Sequence, residues 1–191
     1  MVDNFEQIKK LLNYNSEADF YFLQIMRRKK ENPALTSNTK IIDELFVNSN
    51  EYLETKKEYI IQMCNMFNAR ATIRLNRRSY KTCSLQSLSN LAQQIANGQS
   101  PNVSRLYSSV VGKYHNEPIK RWIIDIDQKE IDSTMLPTLE RIKPTGNKLI
   151  DIIPSKDGHH IITSPFDVSE FSKSFPNIDI HKDNPTNLYI P

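Results

Sequence analysis

Residues 121–127 read Arg121-Trp-Ile-Ile-Asp-Ile-Asp127, residues 148–153 read Lys148-Leu-Ile-Asp-Ile-Ile153, and residues 159–163 read His159-His-Ile-Ile-Thr163. Each is a short β-branched run of strand length, and in the first Asp125 and Asp127 alternate with Ile124 and Ile126, the period of a half-buried strand. Between and after these runs, 131–142 and 167–175 carry apolar residues at helical spacing, and Pro154 to Gly158 form a turn. Ile178 to His181 and Asn187 to Ile190 supply the last extended segments. The order strand, helix, strand, strand, helix, strand predicts a split βαβ, RRM-like or ferredoxin-like sheet, with two helices on one face and the other face open to a ligand.

Outward from that sheet the pattern changes. Residues 1–68 read mainly as helices: 18–31 is one candidate, closed by Asn32-Pro33, and a long amphipathic helix begins near Asn50, carrying Leu53, Ile60, Met63, Cys64 and Phe67. Residues 69–119 read as a basic αβ module. In it 69–76 alternates as a strand, and Leu85, Leu88, Leu91, Ala92 and Ile95 mark a helix stopped by Asn97-Gly98. The expected architecture is therefore α+β: a helical N-terminal region (1–68), a basic αβ module (69–119) and an RRM-like module (120–191).

Composition narrows the function. No apolar run approaches the roughly 18 to 20 residues that cross a bilayer, and the first residues show no signal pattern, so no membrane association and a cytoplasmic location are expected. Two cysteines, Cys64 and Cys83, make neither a disulfide framework nor a four-ligand zinc site, and four scattered glycines make no phosphate-cradling loop. Charge is divided along the chain. Residues 1–121 hold 18 basic and 11 acidic side chains, whereas 122–191 hold 7 and 11. A basic half suits a phosphate backbone and an acidic half can gather divalent cations.

Four clusters can carry chemistry. Asp125 and Asp127 project from one strand face, and two carboxylates so close are relieved by Mg²⁺ or Mn²⁺ shared with substrate phosphates. Two solvated aspartates at a strand end are the plainer alternative. Ser155-Lys-Asp-Gly-His-His160 brings a hydroxyl, an ammonium and an imidazole to a hairpin turn, donors suited to a triphosphate; an ordinary Asp-Gly turn explains the same residues. His159 and His160 point to opposite faces, so only one joins the carboxylates. Asp179, on the last strand of such a sheet, comes near Asp125 and Asp127, or is simply a surface acid. Finally, 70–81 holds Arg70, Arg74, Arg77, Arg78 and Lys81 and no acid, a phosphate-binding candidate or a solvated basic strand. The run Arg27-Arg28-Lys29-Lys30 reads as the solvated end of a helix.

Taken together, the motifs resemble those of the archaeo-eukaryotic primase superfamily, primase-polymerases included, in a small phage or prophage-type version. The family's hhhDhD strand, its sxH motif and its hD strand correspond to Trp122-Ile-Ile-Asp-Ile-Asp127, Ser155-Lys-Asp-Gly-His-His160 and Asn177-Ile-Asp179, followed by Leu188-Tyr-Ile-Pro191. The resemblance covers 69–191. It departs from the pattern in a shortened second motif, with Lys156 and Asp157 where glycine and a basic residue are common, and in Asn187, where a basic residue is frequent.

What the resemblance implies is template-directed nucleotidyl transfer in DNA replication. Asp125, Asp127 and Asp179 would be the catalytic, metal-binding carboxylates for two Mg²⁺ or Mn²⁺ ions. Ser155, Lys156 and His160, with Arg70 and Arg74, would bind the nucleotide, and Arg77, Arg78 and Lys81 the nucleic acid. Expected partners are nucleoside triphosphates, a single-stranded DNA template and a replication helicase. Two other readings share the sheet: a non-catalytic RRM-like module that binds single strands or serves replication as an accessory, and an HUH-type initiator endonuclease, which needs paired histidines and a tyrosine nucleophile such as Tyr107 or Tyr114.

Overall fold

The computed structural model describes residues 1–113, 115, 118 and 120–191. It is a mixed α+β structure with two antiparallel sheets. In chain order the elements are β1 (Val2–Asp3), α1 (Phe5–Leu11), β2 (Asp19–Arg28), β3 (Thr39–Val47), α2 (Asn50–Phe67), β4 (Arg70–Ile73), β5 (Arg78–Ser79), α3 (Tyr80–Ala96) and α4 (Val103–Val111). There follow β6 (Trp122–Ile126), α5 (Met135–Arg141), β7 (Leu149–Pro154), β8 (His159–Thr163), α6 (Val168–Ser174), β9 (Asp179–His181) and β10 (Thr186–Ile190).

The first sheet runs β1-β10-β4-β2-β3, with β5 also paired to β2. Its presence corrects the expectation that residues 1–68 are mainly helical. The stretch expected as a helix at 18–31 is β2, and the reason is that β2 is buried on both faces. Tyr21, Leu23 and Ile25 enter the main core with Leu53, Ile60 and Cys64 of α2, while Phe20 and Phe22 enter a second core with Cys83, Val110 and Val111. A strand covered on both sides shows no alternation, so its apolar run cannot be told from a buried helix by period alone.

The two long helices form where the periodicity places them. Ser49 caps α2, its Oγ accepting the Tyr52 N–H at 3.0 Å, and Asn68 ends it with a φ of 46° in the left-handed region. Ser79 caps α3 and Gly98, at φ 71°, follows its end. Unlike α2, α3 buries only Cys83; Leu85, Leu88 and Ile95 are exposed.

The second sheet is β7-β8-β6-β9. On one face Ile124, Ile126 and Ile161 pack on Met135 and Leu139 of α5 and Phe171 of α6. Each such fully buried side chain contributes about 1.5–3 kcal/mol. On the other face Ile123, Ile153 and Ile162 join the main core that also holds the first sheet. The sheets are tied by polar contacts as well: Asn4 Nδ2 donates to the carbonyls of Pro154 and Asn187, each at 2.9 Å, and Gln7 Nε2 donates to Asp151 Oδ1 at 2.8 Å. The last strand leaves its neighbours. β10 pairs with β4 and β1 in the first sheet, although it follows β9 closely in sequence.

Candidate active site

Beyond Ile123 and Ile162 the two sheets part and leave a cleft of about 610 Å³. One wall is the open face of β6, β8 and β9. Register places His160 and Asp179 on either side of Asp125, as its direct cross-strand partners. Asp127, the first residue past the end of β6, lines the same cleft. Strand alternation thus converts four separated sequence positions into one polar patch, at the end of a face whose nearer half is core.

Asp125 is the best-held of the acids. Its Oδ1 lies 3.3 Å from His160 Nε2 and its Oδ2 lies 3.7 Å from His181 Nε2. His160 is itself fixed from behind, its Nδ1 2.8 Å from the Thr186 hydroxyl on β10. Hydrogen bonding from His160, then from His181, holds the Asp125 carboxyl well below the usual carboxylate range. Reciprocally, the Asp125 hydrogen bond raises His181 above its ordinary value. His181 escaped the sequence reading. Its signal was its position two residues beyond Asp179 on the same strand, which puts both on one face.

His160 rather than His159 is the histidine that joins the carboxylates; His159 pairs with Ile126 in the ladder and does not line the cleft. Ser155 and Lys156 sit at the rim on the β7–β8 turn. The Ser155 hydroxyl is used locally, accepting the Gly158 N–H at 3.1 Å. Gly158 lets this turn press against the end of β6: a Cβ there would lie 2.0 Å from the Ile126 carbonyl oxygen and 2.7 Å from that of Gln128, the residues flanking Asp127. Glycine is required by close approach here, because no side chain fits between the turn and the strand.

The opposite wall belongs to the first sheet. Arg70 and Thr72 of β4, Asn187 of β10, and Arg28 and Lys30 at the end of β2 line the cleft. The run 27–30 is therefore not a helix end: β2 delivers two of its four cations to the cleft. Arg70 is 7% exposed and pairs with Glu31. Burial, with the like charge of Arg28 beside it, lowers Arg70 to about 10.

The other basic residues of 70–81 are not brought to the cleft. Arg78 is fully buried, its Nη2 2.6 Å from Asp183 Oδ2 and its Nε donating to the Val111 carbonyl at 2.9 Å. Arg74 shares Asp183, and Arg77 pairs with Asp19 at 3.3 Å. Arg77 and Arg78 are buried against carboxylates, and Arg74, partly exposed, shares Asp183 with Arg78; none of the three lines the cleft, so the expected basic patch divides. Only Lys81, exposed at the start of α3, keeps a free face to solvent.

The residues suit a hard divalent cation by donor type: carboxylate oxygens from Asp125, Asp127 and Asp179 on one face, two of them directly opposed, a pairing that needs positive charge between them. In this structure His160 and His181 contact Asp125 instead, and among the described residues no three such side chains already enclose a common point. Asp125 would exchange histidine contacts for metal contacts on binding.

Among the described residues the constellations of the two other readings do not assemble. No aromatic side chain of β6 or β8 faces the cleft; Trp122 packs edge-on against Phe166, 5.5 Å away on the helix side. Tyr107 lies in the core beside Phe46, its ring 5.8 Å away, and Tyr114 is outside the described residues. Among the described residues no helix is long and apolar enough to cross a membrane. Compared with protein families, with characterised proteins and with solved structures, the chain matches none.

Proposed function

We propose that the chain is a divalent-metal-dependent nucleotidyltransferase of the primase or primase-polymerase kind, acting on nucleoside triphosphates and a single-stranded DNA template in replication. The observation that carries this reading is the bipolar cleft: Asp125, Asp127 and Asp179 on one wall, Arg28, Arg70 and Lys156 around its other end. A cleft with acids at one end and cations at the other complements a metal-bound polyphosphate, which presents a cation and several anionic oxygens within a few ångströms. The strand order β7-β8-β6-β9, with α5 and α6 on one face, supports reading the part of 120–191 before β10 as an RRM-like catalytic sheet, with the other sheet, which β10 joins, as its basic partner.

Asp125, Asp127 and Asp179 would hold Mg²⁺ or Mn²⁺. When bound, such ions neutralise the triphosphate and make the attacking hydroxyl easier to deprotonate. The chain's own part is positioning and charge. Arg70 and Lys156 hold phosphate oxygens, His160 sets the orientation of Asp125 through its anchor on Thr186, and Gly158 keeps the turn carrying Ser155 and Lys156 close to Asp127. Bond formation between the primer 3′ oxygen and the α-phosphorus releases pyrophosphate, whose charge the same cations accept.

The test is extension of a labelled primer on a single-stranded template, with and without Mn²⁺ or Mg²⁺, beside Asp125→Ala. Metal-dependent extension by the wild type and none by a folded Asp125→Ala is the expected result. Full activity in that variant overturns the assignment, and tight, salt-sensitive strand binding without extension by the wild type favours the non-catalytic binding module instead.

A further inference from the structure

Arg70 and Lys156 are not free in this structure. Both are held by a single oxygen, Glu31 Oε1, with Lys156 Nζ at 3.3 Å and Arg70 Nη2 in close contact. Glu31 lies in the β2–β3 connection, and its side chain is only 11% exposed. Lys156 belongs to the β7–β8 turn of the other sheet, so this carboxylate bridges the mouth of the cleft. A weaker pair, Lys30 to Asp157 at 4.0 Å, spans the same two loops.

The ion pair leaves the basic end unfinished. Arg70 Nε is buried and has no hydrogen-bond partner. Glu31 alone contacts Arg70 and Lys156; Asp157 is a second carboxylate at this end, against the four cations Arg28, Lys30, Arg70 and Lys156. A buried donor without an acceptor and an excess of cations are the marks of a place shaped for more anionic oxygens than these two carboxylates provide.

We infer that Glu31 is an internal stand-in for an anion and thereby a specificity-determining residue: it occupies the basic end of the cleft, so only a polyanion, a tri- or diphosphate chain, displaces it. A singly charged anion replaces one carboxylate by its equivalent and gains nothing. A polyphosphate brings several charges against the same cations and supplies an acceptor for Arg70 Nε. Its entry also cuts the Glu31–Lys156 bridge, which frees the β2–β3 connection from the β7–β8 turn. This deepens the function proposed above, on which it rests for identifying the polyanion as a nucleoside triphosphate; the displacement itself needs only the charges.

Calorimetric titration of the metal-free full chain with inorganic phosphate, pyrophosphate and tripolyphosphate tests it. The wild type is expected to bind tripolyphosphate and to ignore phosphate. Glu31→Gln keeps a hydrogen-bond acceptor for Arg70 and removes the competing charge, so it is expected to bind tripolyphosphate about tenfold more tightly and to narrow the preference for it over pyrophosphate. Unchanged or weaker binding by a folded Glu31→Gln, or no tripolyphosphate binding by the wild type, overturns the inference. Should Glu31→Gln fail to fold, hydrogen exchange of the wild type decides: tripolyphosphate is expected to speed exchange in 29–38, and unchanged or slowed exchange there contradicts the displacement. These readouts contain no template or primer, so failure of primer extension alone removes nucleotidyl transfer and leaves the polyanion gate standing.

Discussion

The two ends of the cleft differ in charge, with Lys156 of the β7–β8 turn reaching across to the basic end. The C-terminal sheet brings Asp125, Asp127 and Asp179 on its open face; the N-terminal sheet brings Arg28, Lys30 and Arg70. The same acids and bases occur elsewhere in the molecule to a different end. Asp183 and Arg78 form an enclosed pair, as do Asp19 and Arg77, and these fix loops to the frame. The contrast is one of place: the first group of charges lines a cavity, and the second ties loops to the frame inside the protein.

The largest effect that separates these roles is on folding. Asp183→Ala leaves Arg78 charged, fully buried and without its carboxylate, and also releases Arg74. Loss of one partner of such a pair is expected to cost about 3–5 kcal/mol. Denaturant titration checks this; a variant as stable as the wild type would break the distinction drawn between the two groups of charges. Asp125→Ala, by contrast, is expected to remove activity and keep the fold.

Gly158→Ala sharpens the comparison at the seam between turn and strand. The added methyl cannot fit against the carbonyls of Ile126 and Gln128, so the turn must move away from Asp127. A destabilisation of about 1–3 kcal/mol is expected, together with a loss of primer extension greater than the unfolded fraction explains. Equal losses of activity and folded protein would assign Gly158 to packing alone.

A smaller effect concerns the core behind the basic wall. Burial pushes the Cys64 thiol on α2 up to about 12. The folded form keeps its proton where the unfolded chain, near the ordinary thiol value, gives it up. This contribution is therefore complete below about pH 9 and is lost as pH rises toward 12. At pH 10 the wild type is expected to lose about 1 kcal/mol relative to Cys64→Ala, measured as the difference between their pH 7 and pH 10 stabilities. Parallel stabilities at both pH values would mean that water reaches the thiol.

The end of β6 is legible in the sequence because it is half-buried, and β8, buried on both faces, because it is a short β-branched run directly after a turn. Ile124 and Ile126 on one side, Asp125 and Asp127 on the other, gave β6 its alternation, and β8 was read to the residue. The N-terminal sheet was not, because β2 buries Phe20 and Phe22 on one face and Tyr21 and Leu23 on the other. The acids of the cleft could be named from spacing on strands. The basic run 70–81 could not be divided in advance, since the partner that neutralises Arg78 lies 105 positions away at Asp183. Apolar periodicity marked α3 but misled about its burial: Leu85, Leu88 and Ile95 satisfy helical spacing and still face solvent.

In the function proposed above, one cleft joins a metal-binding acidic end to a polyphosphate-binding basic end. Titration of Mn²⁺ into the protein, followed by electron paramagnetic resonance with and without a nucleoside triphosphate, tests it most directly. The expected result is Mn²⁺ bound more tightly in the presence of the triphosphate, with both the binding and its enhancement lost in Asp125→Ala. Mn²⁺ binding that is indifferent to the triphosphate, or unchanged in Asp125→Ala, would contradict the account.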